Sequence, residues 1–283
     1  MQKKQEITPA LGFGLPLLFV PLLVVSWFFG GLTILLAPIF GYVIITVFDF
    51  FSGEEILEPK ANEDNLWNYK LMLWIWPFIQ LFLIFGSLIT IFHFSHFGIL
   101  EAVGLMLVQG MITGAVGITF AHELMHQKTR REQLLSDSLM GMALYGHFRT
   151  EHVLVHHRYV GTEKDAVTAR FDENFYEFFV RILPACIVSA WSTETDRLAR
   201  LGKSKYDKAN PFWIYLAFPF IYLLLSFAIG GTLGVFLFFL QALVGVLHLE
   251  VVNYIEHYGL SRQVLENGKF ETTKPYHSWN ANH

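Results

Sequence analysis

The sequence is short of charge and nearly free of cysteine. Asp, Glu, Lys and Arg make up 16% of 283 residues, while 53% are hydrophobic and 16% aromatic. So little charge beside so much aromatic surface excludes an ordinary soluble domain and fits a membrane bundle. The lone Cys186 excludes an internal disulfide, a cysteine-built zinc site and an iron–sulfur centre, and reads as a small apolar filler. A net charge of −4 leaves no basic footprint for nucleic acid. There is no internal repeat or low-complexity tract. Lys3 and Lys4 precede the first apolar run, but no clean small-x-small cleavage site follows it, so that run is expected to be retained as a span.

What is present is a series of long apolar stretches, at 10–29, 32–48, 71–92, 99–120, 210–229 and 232–250. Each is long enough to cross a hydrocarbon layer of roughly 30 Å as helix. Helix is required because lipid offers no partners to open backbone groups. Gly30 with Gly31, the segment 93–98, and Gly230 with Gly231 read as tight reversals, which gives six spans in three hairpins. The whole of 1–283 reads as one all-α membrane domain.

Charge placement orients this map. All 20 Lys and Arg fall at the N-terminus, in 49–70, in 121–209 or after 250, and the three reversals carry none. The positive-inside rule makes that side cytoplasmic, with both termini there. The expected location is a membrane crossed several times, with the charged loops on its cytoplasmic side. Residues 190–201 place Trp191, Leu198 and Leu201 among charges, the pattern of an interfacial amphipathic helix.

The same side gathers the histidines. HELMH at 122–126 puts His122 and His126 four residues apart, on one helical face. EHVLVHH at 151–157 does the same for His152 and His156, with His157 about a quarter-turn away, towards a neighbouring metal. His257 ends NYIEH at 253–257, just beyond the last apolar run. Six imidazoles exceed the needs of one tetrahedral site, and nitrogen-rich sites with open positions suit iron and oxygen chemistry, so two non-haem irons are expected. Glu123, Glu151 and Glu256 each adjoin a candidate ligand, either to bind metal or, the favoured reading, to orient imidazole N–H groups from behind. Asn253, one turn before His257, is a candidate brace for it. Asp137 and Asp165 are candidate partners of ligand histidines, or solvated acids. His147 reads as support, His248 sits inside a span, and His277 and His283 follow no strict spacing. His93 and His96 lie on the opposite face.

Rival readings exist. HELMH also satisfies HExxH, the zinc-protease motif, but that scheme leaves His152, His156, His157 and His257 without roles. A transporter would place ionisable groups near the bilayer midplane of several spans, whereas these histidines collect at span ends. Glu101, near the outer end of the fourth span, is the unexplained acid.

The motifs AHELMHQ (121–127), YGHFRTEHVLVHHRYV (145–160), TEKDAVTARFDENFYEFFVR (162–181), NYIEHYGL (253–260) and KPYHSWNANH (274–283), in this order, resemble the membrane alkane 1-monooxygenases, with the xylene monooxygenase hydroxylase component as a related group. Leu154 and Val155 depart from the family pattern, where glycine commonly precedes the paired histidines; the ligand spacing is intact. The resemblance implies a six-helix fold with a diiron centre at its cytoplasmic end, ligated by His122, His126, His152, His156, His157 and His257. It implies terminal hydroxylation of medium- to long-chain n-alkanes to 1-alkanols with O2. Two electrons would come from rubredoxin, itself served by an NAD(P)H-dependent rubredoxin reductase. Arg130, Arg131 and Arg149 would either steer an acidic donor or touch lipid head groups. The alternatives are a xylene-type aromatic methyl hydroxylase and a fatty-acyl desaturase or lipid hydroxylase; the latter usually carries HxxHH where this chain has HxxxHH. The family also carries a final HxxHH box some way beyond HSWNANH. The sequence stops at His283 without it, so the chain is expected to be C-terminally incomplete and, by itself, to bind iron poorly and not to turn over.

Overall fold

A computed structural model describes residues 13–52, 66–94 and 96–279. The first residues of the expected first span, the charged N-terminus and the end of HSWNANH lie outside the described residues.

Among the described residues the protein is helical apart from one isolated antiparallel bridge, Val264 with Phe270. Helix α1 (Leu15–Phe29) turns at Gly30 (φ 59°) into α2 (Gly31–Phe51), and the rings of Phe19 and Phe40 pack 5.2 Å apart across this hairpin. Helix α3 (Leu66–His93) and α4 (Ile99–Met125) form the next hairpin, joined by Trp76 against Phe120, with ring centroids 5.6 Å apart. Short α5 (Arg130–Met142) starts at a Thr129 cap whose hydroxyl accepts from the Glu132 backbone N–H. Helix α6, residues 148–159, is followed by a loop and by α7 (Phe175–Arg200), capped by Asn174 accepting from Tyr176 and Glu177 N–H. Helix α8 (Phe212–His257) breaks at Gly230 and Gly231, where Gly231 sits at φ 58°. Its two arms fold back on each other, with Tyr222 and Phe238 rings 6.4 Å apart.

Five of these helices, α2, α3, α4, α7 and α8, are long and apolar enough to cross a membrane, where six spans were expected. The difference has local causes. The last two expected spans are the two arms of α8, the described part of the first expected span is the 15-residue helix α1, and α7 runs well ahead of the predicted interfacial segment 190–201. Helix α7 buries Phe178, Ile182, Cys186, Ala190, Glu194 and Leu198, a stripe of every fourth residue that faces α6 and α8.

In lipid the hydrophobic effect does not hold helices together, so close packing and internal polar bonds must. A Cβ on Gly110 would lie 2.6 Å from the Gln241 carbonyl, and one on Gly114 would lie 2.6 Å from the Cβ of His248; α4 and the second arm of α8 meet through these glycines. A polar ladder crosses the same layer. Trp76 donates to Gln80 (3.0 Å), Gln80 to the Thr113 hydroxyl (2.6 Å), Thr113 to Gln241 Oε1 (2.8 Å), and Gln241 to the Met142 carbonyl (2.8 Å). Such bonds contribute about 0.6 kcal/mol each and fix helix register. At the opposite end Glu101 accepts from the backbone N–H of Gly31 (2.7 Å) and of Gly98 (2.8 Å), stapling two reversals. His96 donates to the Trp27 carbonyl (2.8 Å) in the same corner. These contacts give both residues structural work at the reversals.

Candidate metal centre

Two helix segments build the site. Helix α4 contains a π-helical stretch, Thr113–Ile118, then returns to α-helix and presents His122, with His126 following its last residue. Helix α6 contains a second π stretch, Glu151–His156. This second stretch decides the geometry. In a π-turn the hydrogen bond spans five residues, which swings position i+5 towards position i. His152 and His157 therefore share a face, with Nε2 atoms 2.9 Å apart. His156 stands next to His152, with the two rings nearly parallel and 5.3 Å apart, but outside the four-nitrogen group.

His122, His126, His152 and His157 each bring a ring nitrogen to within 4.8 Å of the others. The Nε2 atoms of His122 and His126 are 3.4 Å apart. Nitrogens bound to one metal at about 2.1 Å stand about 3–4 Å from each other, so this donor set fits a single ion. Burial lowers the pKa of His126, His152 and His157, and neighbouring imidazoles add to the effect. Each is thereby held in the neutral form that ligates metal. His152 is buried while His126 and His157 are exposed, so the cluster opens to one side.

His156 and His257 form a second group beside the first. Their ring centroids are 4.9 Å apart, and His156 lies 5.3 Å from the His152 ring. His156 Nδ1 donates to Asp165 Oδ2 (2.9 Å), which leaves Nε2 with a free lone pair. Asp165 is buried and also accepts from the Thr168 hydroxyl (2.8 Å) and the Val167 N–H (3.3 Å). Burial alone would raise its pKa. The His156 hydrogen bond outweighs that, with help from Thr168 and Val167, and the carboxyl stays below its ordinary value. His257 Nδ1 faces the His277 carbonyl at 3.4 Å. His277 is itself buried, with Nδ1 accepting from Lys274 N–H (3.0 Å) and Nε2 facing Glu271 (3.3 Å).

The expected supporting residues divide. Glu123 approaches His122 Nδ1 at 3.4 Å, a long contact. Glu256 lies 3.8 Å from His257 Nε2, beyond hydrogen-bond range. Asn253 does not brace His257; it donates to Glu250 Oε2 (3.0 Å). Glu151 is buried, and burial pushes its pKa up to about 8 against the opposing effect of Ser189. Asp137 binds no histidine and forms a two-pronged pair with Arg149 (2.6 and 3.2 Å). Arg149, half-buried there with its guanidinium 5.2 Å from the Tyr215 ring centre, is engaged in that pair. His147 lies outside the cluster, its ring 4.5 Å from Tyr145, and His248 bonds to Tyr42. Sequence reasoning missed Glu250, fully buried one turn before Asn253; the available signal was an acid ending an apolar run.

Residues 98–283 match the fatty acid desaturase family, which places the protein in a class of helical membrane proteins with a histidine-built site. The chain is 34% identical to alkane 1-monooxygenase 2 of Pseudomonas aeruginosa over 93% of its own length and 67% of the relative's. It is 31% identical to alkane 1-monooxygenase 2 of Alcanivorax borkumensis, over 87% of this chain and 65% of that one. The xylene/toluene monooxygenase hydroxylase component of Pseudomonas putida is 27% identical, over 64% of this chain and 48% of that one. The chain thus spans about two thirds or less of the length of these curated relatives. It belongs to the alkane 1-monooxygenase family.

Proposed function

We propose that the protein is an alkane 1-monooxygenase that converts medium- to long-chain n-alkanes and O2 to 1-alkanols, drawing two electrons per turnover. The observation that carries this reading is the convergence of four imidazoles at the end of α4 in a chain of this family. One iron would sit among His122, His126, His152 and His157; a second would use His156 and His257, with Asp165 holding His156. These six histidines are the proposed ligands, and Glu123, Glu151, Asn253 and Glu256 take supporting or structural places around them. When bound, the two irons supply the activation of O2 that an unactivated C–H bond demands.

The chain's own residues do the rest. Asp165 fixes the His156 tautomer and strengthens the opposite nitrogen as a donor. Burial keeps His152 neutral. An apolar cavity of ≈ 270 Å³, walled by residues including Phe19, Ile45, Met111 and Val116, lies between the first hairpin and α4. Val116 is six residues from His122, so a hydrocarbon held there would lie along the helix that carries the site. Placing a terminal methyl near the metal is the main contribution such a wall makes.

We place the protein in a bacterial cytoplasmic membrane with three hairpins, both termini and the site on the cytoplasmic side. The one-sided distribution of Lys and Arg supports this. Rubredoxin, with its NAD(P)H-dependent reductase, is the proposed electron source. Lys128, Arg130 and Arg131 are exposed next to His126 and suit an acidic donor. The xylene-type alternative has the more distant relative behind it. The test is product analysis in membranes carrying the full coding frame, with iron, rubredoxin and reductase. Formation of 1-octanol from octane supports the proposal, and oxidation of xylene alone or desaturation of acyl lipid overturns it.

A further inference from the structure

Among the described residues Tyr42 is the sole polar side chain in the wall of the apolar cavity, whose other lining residues are Leu, Pro, Phe, Gly, Ile, Met, Ala and Val. Its hydroxyl is hydrogen-bonded to Nε2 of His248 on the second arm of α8. His248 Nδ1 faces the Val244 carbonyl at 2.8 Å, and a carbonyl only accepts, so the proton sits on Nδ1. Nε2 is then an acceptor and the Tyr42 O–H its donor. The two rings lie nearly parallel, 21° apart. The pair is at the edge of the bundle: Tyr42 is 53% exposed, and no residue from 38 to 51 is buried. His248, in contrast, is half-buried, with its Cβ set closely over Gly114 of the α4 π stretch.

A hydrogen bond facing hydrocarbon has no water to replace it, so the two groups stay together unless another polar group takes their place. An alkane has none. A primary alcohol has one hydroxyl, which donates to His248 Nε2 and accepts from Tyr42 while its chain occupies the apolar cavity. We propose that this cavity and the Tyr42–His248 pair form a binding subsite for a primary long-chain alcohol, with the hydroxyl inserted between the two side chains. The subsite rests on the alkane-hydroxylation reading for its biological meaning: it gives the product a station at the lipid edge, distinguished from substrate by its one polar group. Hydroxyl insertion breaks one hydrogen bond and makes two, whereas an alkane gains nothing at the pair.

Photoaffinity labelling tests this without turnover. The purified chain in lipid nanodiscs is labelled with a primary decanol carrying a diazirine in its tail, and modified residues are mapped by mass spectrometry. Label is expected on cavity residues such as Phe19, Met111 and Val116, competed by 1-octanol and much less by octane. Tyr42→Phe with His248→Phe keeps two rings and removes both polar groups, so the alcohol hydroxyl gains nothing there; competition by 1-octanol should weaken about fivefold, the factor set by one hydrogen bond of ordinary net worth. Ile45→Trp, which fills the cavity, should abolish labelling while keeping the wild-type unfolding temperature. Equal competition by octane and 1-octanol, unaltered competition in the double variant, or label confined to the outer surface overturns the proposal. Because no metal or electron donor is needed, an inactive protein with intact alcohol discrimination would leave the subsite standing and sink the catalytic reading, and the reverse result would do the opposite.

Discussion

His152 and His157 face each other through their Nε2 atoms at 2.9 Å because the helix between them is wound as a π-turn. The same winding turns His156 out of that cluster, towards Asp165 and His257. One local change in helix type therefore divides three adjacent histidines between two groups. The expected consequence is a separable loss of metal. His157→Ala should remove about one ion per chain from the four-histidine group, whereas His156→Ala should leave that group's affinity intact. Titrating the metal-free protein with Co2+ and following its ligand-field absorption distinguishes the two. Equal loss of the same absorption band in both variants would contradict the division.

Most of the helical map was legible because it depends on composition and on glycine. The runs of apolar residues set the spans, and Gly31 and Gly231 at positive φ make the reversals that only glycine adopts without strain. The candidate histidines were legible by type and density. Their grouping was not, since EHVLVHH contains both the four-residue and the five-residue spacing and nothing in the residues announces which helix is formed. The front half of α7 was missed because Pro184 and a Phe-rich start hide a burial stripe that only the partners α6 and α8 make visible. Asn253 was misjudged for a related reason: its true partner, Glu250, lies three residues behind it on the same helix, on the opposite side from His257 in sequence.

Asp165 tests the second histidine group. Asp165→Asn retains an oxygen acceptor for His156 Nδ1–H but removes the negative charge. Loss of a residue that supports a ligand typically costs about 10–100-fold in metal affinity. The expected outcome is that Co2+ bound at the His156 group weakens by that range while the four-histidine group is unchanged. Unaltered affinity at both would show that His156 does not depend on Asp165.

His147 supplies a pH dependence of folding. Burial pushes its imidazole down to about 4, while an unfolded histidine titrates near 6.5. Between those values the unfolded chain holds a proton that the folded chain refuses. Stability from this group is therefore full above about 6.5 and is lost as pH falls towards 4, an effect on the order of 3 kcal/mol. His147→Phe keeps a ring beside Tyr145 and removes the titration. Its Tm should fall less steeply between pH 7 and pH 4 than that of the wild type, measured metal-free by calorimetry. Parallel curves would mean that His147 is protonated at its ordinary value.

The Asp137–Arg149 pair ties α5 to the base of the π-turn that carries the histidines, and its strength is best judged by asymmetry. Both groups are largely buried, with Arg149 covered by Tyr215 and Asp137 almost fully enclosed. Removing one charge strands the other, which costs about 3–5 kcal/mol, whereas replacing both by apolar residues of similar volume is often close to neutral. Arg149→Met alone should therefore lower Tm sharply. Arg149→Met with Asp137→Leu should recover most of that loss. If the double variant recovers stability yet shows a displaced Co2+ spectrum, the ion pair acts by setting the orientation of α6 and not by holding the protein together. If stability and spectrum recover together, the pair is replaceable packing and the π-turn is fixed by other contacts, among them the Thr150 hydroxyl bonded to Glu194 (2.9 Å) and Tyr215 (2.9 Å).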